Sequence, residues 1–139
     1  MIRLAAAALL LSTAPALAQS ADNKVVLTFE TGARTGMVMV ALYDSAAAFD
    51  GQGGAAVARA AVSASGPVVA TFENLPAGDY AAKAFHDLNG DGQMNTNPFG
   101  MPIEPYAFSN NAVGNMGPAR WDRAHFAVSG ETAQTISIR

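Results

Sequence analysis

The stretch that decides the fold spans residues 67–86 and reads PVVATFENLPAGDYAAKAFH. Apolar and polar residues alternate on both sides of the central segment Asn74–Gly78. Alternation with a period of two is typical of strands that bury one face. In the central segment, Pro76 presets φ at about −65° and Gly78 can adopt a positive φ, so the chain can turn sharply. The stretch therefore predicts two β-strands joined by a tight turn.

The same alternation recurs along the rest of the chain, in short runs separated by Gly, Pro and Asn. It predicts strands at Lys24–Glu30, Gly36–Tyr43, Ala55–Ala64, Pro67–Phe72, Asp79–His86, His125–Val128 and Thr132–Ile138. The runs recur about every ten residues, and no helical pattern of adequate length for a crossover lies between them. We therefore expect an all-β fold: a single immunoglobulin-like or prealbumin-like antiparallel sandwich of about seven strands with one long ordered loop.

Two local features interrupt this pattern. A short helix is expected at Ser45–Phe49, before the glycine-rich break Asp50–Gly54. The last two strands surround Ser129–Glu131 and indicate a closing hairpin.

The N-terminus has the features of a secretory signal peptide. A positive start at Arg3 is followed by eight apolar residues, Leu4–Leu11, and then by the small-x-small sequence Ala16-Leu17-Ala18. Crossing a bilayer as a helix takes about 20 apolar residues, so we expect no membrane span. The sequence predicts a signal peptide at residues 1–18 and one domain at residues 19–139, exported to the periplasm or the extracellular space.

Composition excludes several classes of function. The chain has no cysteine, so disulfides, cysteine-ligated zinc and a thiol nucleophile are absent. Its formal net charge is −3 and it contains no basic run, which argues against a nucleic-acid partner. No serine lies in a G-x-S-x-G motif and no glycine-rich phosphate loop is present. We therefore expect a non-catalytic protein that binds an unknown ligand or surface partner.

Residues 87–122, here called the excursion, contain no convincing strand or helix. They hold six Asn, five Gly and four Pro. Loops beyond about 15 residues are uncommon in compact domains unless they are functional or disordered. Aromatic anchors at Tyr106, Phe108 and Trp121 favour an ordered excursion packed on the sandwich. These rings either form a face that binds a sugar or an apolar ligand, or simply fasten the loop.

The start of the excursion, Asp87–Asn95, resembles the first part of a calcium loop and is here called the acidic loop. Oxygen ligands fall at the first, third, fifth, seventh and ninth positions: Asp87, Asn89, Asp91, the Gln93 backbone carbonyl and Asn95. Gly92 stands where the backbone must fold back. Position twelve is Pro98 instead of the usual Glu, so Glu104 is the residue that can complete the coordination sphere. The sequence predicts a structural Ca²⁺ site; a metal-free Asn/Asp/Gly turn is the alternative.

Two other metal-dependent functions stay open. His86 and His125 lie 39 positions apart, without the close spacing of a metal motif. With the loop methionines Met94, Met101 and Met116, they suggest a periplasmic copper or zinc protein. A hydrolase using paired carboxylates among Asp87, Asp91 and Glu104 is a further possibility.

The chain resembles a known family over about residues 24–139, specifically in the middle third and loosely at both ends. The residues that carry the resemblance are Phe72–Tyr80, Phe85-His86-Asp87, Asp91-Gly92, Asn97–Glu104 and Phe108–Asn111. They are similar to the small secreted bacterial family called domain of unknown function 2141. The resemblance implies an exported β-sandwich and no established activity. This chain departs from the family pattern at Met94-Asn95, where Leu-Asp is usual, and at Pro105, where Gly is usual. The Leu75–Tyr80 turn is also similar to turns in transthyretin-like and collagen-adhesin repeat sandwiches.

Overall fold

The computed structural model of the protein describes residues 22–139; the predicted signal peptide lies outside the described residues. The strands are β1 (Asn23–Thr31), β2 (Met37–Tyr43), β3 (Ala58–Ser63), β4 (Val68–Leu75), β5 (Gly78–Asp87), β6 (Tyr106–Phe108), β7 (Phe126–Val128) and β8 (Glu131–Ile138). The helices are α1 (Ala46–Phe49), α2 (Trp121–Ala124) and a 3-10 turn at Ser109–Asn111. The expected all-β class is confirmed, and the helix predicted at Ser45–Phe49 is present with Ser45 as its N-cap.

The strands form two sheets, which do not close into a barrel. One sheet has the order β4-β1-β8. The other has the order β3-β2-β5-β6, and β7 also pairs with β5. Both β6 and β7 are antiparallel to β5, at residues 83–85 and 78–80 respectively. The excursion therefore returns to the sheet that it leaves.

Two details of the expected topology are wrong. The sandwich is not wholly antiparallel, because β1 and β8 pair in parallel. The two last strands do not form a hairpin either, since β7 pairs with β5 in one sheet and β8 with β1 in the other. Gly130, at φ 81°, carries the chain from one sheet to the other. Alternation reports which face of a strand is buried, but it carries no information about the partner strand.

The main core lies between the two sheets. Each strand contributes its inward residues, such as Val25, Leu27 and Phe29 from β1 and Val38 and Val40 from β2. These side chains are at most 4% exposed, and burial of this kind is the main stabilising contribution to folding.

The turn between β4 and β5 joins the two sheets. Asn74 has a φ of 56°, and the Tyr80 hydroxyl donates a 2.7 Å hydrogen bond to the Pro76 carbonyl four residues back. Burial, with a smaller contribution from Asp44, raises the pKa of Tyr80. The turn predicted at Asn74–Gly78 is therefore fixed by a buried tyrosine as well as by Pro and Gly.

A second, smaller core lies on the outer face of the five-stranded sheet. Phe49 is fully buried there, with ring centroids 6.1 Å from both Phe108 and Trp121. Ala81 of β5 and Ala119 of the excursion complete the contact. This cluster fastens the second half of the excursion to the sheet.

No helix within residues 22–139 is long and apolar enough to cross a bilayer.

Candidate functional site

Rows of side chains cross the outer face of the five-stranded sheet, because paired residues on neighbouring strands point to the same side. The first row is Arg59, Ala41, Lys83 and Phe108; the second is Ala61, Met39, Phe85 and Tyr106. A third row contains Ser63, Met37 and Asp87. The small side chains Ala41 and Ala61 leave the centre of this face low, while longer side chains surround them.

The excursion forms a wall beside this hollow. Its contributions are Gly92, Met94, residues 100–102 and residues 116–118. Wall and sheet together enclose a cleft of about 1200 Å³, here called the outer groove. Ligand sites are typically concave and mostly apolar, with a few polar groups. The outer groove has these properties.

Lys83 lies at one end of the outer groove. Its ammonium Nζ donates to the Phe49 carbonyl and lies 5.2 Å from the Tyr43 ring centroid and 4.6 Å from that of Phe49. Burial lowers the pKa of Lys83, with Asp50 partly opposing the shift. The aromatic faces attract the ammonium, whereas burial removes part of the water that would solvate its charge.

The acidic loop begins at the end of β5, where Asp87 is only 2% exposed. Its carboxylate accepts 2.8 Å and 2.7 Å hydrogen bonds from the Gly90 and Gly92 backbone N–H groups. Gly36 of the neighbouring turn is at φ 77°, and a Cβ at this position would overlap the Asp87 carbonyl oxygen. The close approach of these two segments therefore requires glycine.

Glu104 joins the acidic loop from the far side. Its two carboxylate oxygens accept hydrogen bonds from the backbone N–H of Leu88 at 3.2 Å and of Asn95 at 3.1 Å. The side chain is 6% exposed. The expectation that Glu104 returns to this loop agrees with its position in the structure.

The carboxylate oxygens of Asp87, Asp91 and Glu104 come within 4.8 Å of one another. Asp91 is exposed and accepts a 2.7 Å bond from the Asn95 amide and a 2.9 Å bond from the Gln93 N–H. These bonds, that of Asn95 first, lower the pKa of Asp91. The carboxylates are arranged as a cluster that can accept a hard cation, and they also hold the loop through hydrogen bonds without one.

The amides complete this cluster. The Asn89 side-chain amide donates to the Asn95 side-chain oxygen Oδ1 at 2.9 Å and to the Asp91 carboxylate at 3.5 Å. Asn89, Asn95 and the three carboxylates therefore lie together, as the sequence pattern predicts. For Gln93 the structure shows its N–H bonded to Asp91, and its carbonyl remains only a predicted ligand.

The two histidines do not share a site. His86 is 1% exposed, and its Nε2 donates a 2.6 Å bond to the Thr35 carbonyl. His125 is exposed and stacks on Trp121 with centroids 5.6 Å apart. His125 is next to Phe126, which pairs with Tyr80 at the start of β5. His86 lies six residues further along β5, so roughly 20 Å of strand separates it from the place where His125 lies. The copper or zinc hypothesis in its two-histidine form is therefore wrong.

The three aromatic residues of the excursion divide between the two roles weighed above. Phe108 and Trp121 pack around Phe49 and fasten the loop. Tyr106 is 42% exposed and lines the outer groove.

Sequence reasoning missed β6 and most of the groove. Arg59, Met39, Lys83 and Phe85 were not among the predicted site residues. A signal was present in β5, where Lys83 and Phe85 alternate with the buried Ala82 and Ala84. A large apolar residue on the outward face of a strand indicates that something covers or uses that face.

The family model described as "Uncharacterized protein conserved in bacteria (DUF2141)" matches residues 30–137. The match confirms the resemblance seen in the sequence. No curated protein and no solved structure matches the chain.

Proposed function

We propose that this chain, which belongs to the uncharacterized bacterial family DUF2141, is an exported, non-catalytic binding module. Its ligand occupies the outer groove, and a calcium-type site orders the acidic loop that forms part of the groove wall. The observation that carries the proposal is the groove itself: an apolar cleft of about 1200 Å³ between a rigid sheet and the excursion.

The floor of the groove is rigid, which favours binding. Met39 and Phe85 lie in register on adjacent strands, with Tyr106 beyond them. Sites built on strands hold their geometry better than sites on free loops. The hollow over Ala41 and Ala61 is therefore preformed.

The wall is held at both ends. The acidic loop at one end contributes Met94, and the segment at Gly117 is followed by Ala119 in the Phe49 cluster. Exposed apolar residues on this wall include Met101 at 63% and Met116, which is fully exposed. Apolar surface of this kind is a frequent mark of a binding site.

Calcium fits the donor set at the base of the wall. Ca²⁺ takes six to eight oxygen ligands from carboxylates, amides and carbonyls. Asp87, Asp91 and Glu104 can supply carboxylates, and Asn89 and Asn95 can supply amide oxygens. The ion would neutralise the clustered negative charge. The protein would hold the ligands through the backbone N–H bonds to Asp87 and Glu104, since each oxygen has a second lone pair.

A role without catalysis is supported by how these carboxylates are used. Asp87 and Glu104 each accept two backbone N–H bonds. Such bonds engage both oxygens of each carboxylate and fix the loop, which suits a structural role.

Blocking the groove tests the binding role. Ala61→Trp fills the hollow from the exposed face of β3, while Thr71→Trp places the same ring on the outer face of the other sheet. A panel of apolar dyes, followed by fluorescence, should bind the wild type and Thr71→Trp equally and Ala61→Trp at least about tenfold more weakly. Equal binding by both variants would contradict a ligand in the groove.

Calcium is tested separately by melting in EGTA and in 10 mM Ca²⁺. For a dissociation constant of about 10⁻⁴–10⁻³ M, typical of extracellular modules, the gain is about 1.4–2.7 kcal/mol, a rise of several degrees. Asp91→Asn should remove the gain, whereas Asp79→Asn, an exposed acid at the other end of β5, should keep it. An unchanged melting temperature would contradict the calcium site and would mean that hydrogen bonds alone hold the loop.

A metal-handling function has one supporting observation left. Met94, Met101 and Met116 all line the outer groove, and thioethers are ligands of Cu(I). Cu(I) titration of wild type and Met94→Leu tests this second candidate; tight binding lost in Met94→Leu would favour it over an organic ligand.

A further inference from the structure

The charges around the outer groove point to a class of ligand, on the premise that the groove is the binding site. Among the described lining residues the charged side chains are Arg59 and Lys83, and both are cationic. We propose that the groove binds a small amphipathic anion, such as a medium-chain carboxylate, with its head group above Ala41 between Arg59 and Lys83.

The two cations are placed for one shared anion. Both Arg59 and Lys83 pair with Ala41, so they lie in one row on either side of it. Two strand spacings separate their backbones, about 9.6 Å. Both side chains are long enough to reach over the methyl group of Ala41 towards a single carboxylate.

Neither cation forms a salt bridge with a carboxylate of the described residues. Asp50 attracts Lys83 only from a greater distance, and it pairs with Arg120 at 3.2 Å. In a protein with a net charge of −3, two unpaired cations facing one apolar cleft give it charge complementarity to an anion. The guanidinium of Arg59 presents a planar set of donors that suits a carboxylate, and the ammonium of Lys83 retains two N–H groups beyond its bond to Phe49.

The rest of the groove suits an apolar tail. Beyond the cationic row the surface is formed by Met39, Phe85 and Tyr106, with Met101 on the wall. Asp87 lies four residues beyond Lys83 on β5, about 13 Å away. A negative head group is therefore attracted to the Lys83 end, and the alkyl chain lies over the apolar rows towards the acidic loop.

Isothermal titration with three probes of one chain length separates charge from hydrophobicity. Dodecanoate is the anion, dodecanol the neutral analogue and dodecyltrimethylammonium the cation. We expect dodecanoate to bind about tenfold more tightly than dodecanol, and the cation to bind most weakly. Arg59→Gln and Lys83→Gln should each weaken dodecanoate binding roughly fivefold and leave dodecanol binding unchanged. The remote control Arg123→Gln should leave the binding of both probes unchanged.

The outcomes distinguish this inference from the proposed function. If dodecanol binds as tightly as dodecanoate and both are lost in Ala61→Trp, the groove binds apolar ligands and the anion inference is wrong. If none of the three probes binds, the anion inference is wrong as well, and the dye test then shows whether the outer groove binds any ligand. Should Lys83→Gln fail to fold, Arg59→Glu is sufficient, because charge reversal must weaken dodecanoate more than Arg59→Gln does.

The ligand is a monomer in solution rather than a lipid within a membrane. Sedimentation with phosphatidylglycerol vesicles distinguishes these two sources of an anionic head group. Binding to vesicles without binding to dodecanoate would overturn the proposal, and binding to dodecanoate alone would support it.

Discussion

The hydroxyl of Ser109 fills a gap in the sheet, and its removal should loosen the whole excursion. On the edge of β5, strands β6 and β7 leave Ala82 between them without a strand partner. Ser109 Oγ accepts a 2.9 Å bond from the Ala82 N–H and donates a 2.6 Å bond to the Ala124 carbonyl. All three residues are at most 1% exposed, so water cannot take the place of the hydroxyl.

The cost of Ser109→Ala follows from these two bonds. A buried backbone group left without a partner costs about 1–3 kcal/mol, and here an N–H and a carbonyl both lose theirs. We expect the free energy of unfolding to fall by about 3 kcal/mol. For a domain of this size that is a loss of roughly 10–15 °C in melting temperature.

Urea denaturation of Ser109→Ala measures this directly, with Ser65→Ala as the control because the Ser65 hydroxyl is exposed. Hydrogen exchange adds a local readout: amides of residues 106–124 should exchange faster than those of β1, because the excursion detaches before the sheets separate. A loss below about 0.5 kcal/mol would refute the reasoning, since it would mean that the two groups find other partners.

Two further predictions rest on single contacts, and a third rests on the N-terminal sequence. In the free protein, Lys83 should titrate below an ordinary lysine, since burial lowers its pKa; NMR of the ¹³C-methylated amine measures it, and a normal value would contradict the burial. The folded state then binds this proton less tightly than the unfolded chain, so between the two pKa values this group makes stability rise with pH, a slope that Lys83→Gln should remove. The Asn111 amide covers the edge of β8 by bonding the Thr135 carbonyl at 3.1 Å and the Ser137 N–H at 2.9 Å. Asn111→Ala should expose this edge, lower the free energy of unfolding by about 1–2 kcal/mol and speed aggregation measured by light scattering. Unchanged stability and aggregation would refute this prediction. Finally, mass spectrometry of the protein from the cell envelope should find Gln19 as the first residue, and an uncleaved Met1 would exclude the predicted signal peptide.

The acidic loop was predictable because its oxygen-bearing side chains are close in sequence. Oxygen side chains at alternate positions of a tight turn converge wherever the turn forms, so Asp87, Asn89, Asp91 and Asn95 come together as expected. Glu104 was a reasonable extension, since the chain needs only a short return to reach it. Calcium binding depends on how the free energy of ion coordination compares with that of the hydrogen bonds that already hold the loop, so the calcium site stays a prediction.

The groove was not predictable from the sequence. Its floor combines Arg59, Ala41 and Lys83 from three strands, and their alignment depends on strand register. A shift of one residue in register would turn each of these side chains to the opposite face. Register is fixed by packing of the entire core, so no local pattern contains it.

The sequence by itself determined the all-β class, the approximate strands, the turn at Asn74–Gly78 and the position of the acidic loop. These features depend on backbone preferences and on burial over a few neighbouring residues, which the chain carries locally. Only the tertiary structure decided the parallel pairing of β1 with β8, the place of β7 beside β5 and the two cations of the outer groove. Residues paired between β1 and β8 are about a hundred positions apart, and such pairings are selected by the free energy of the complete core rather than by any segment alone.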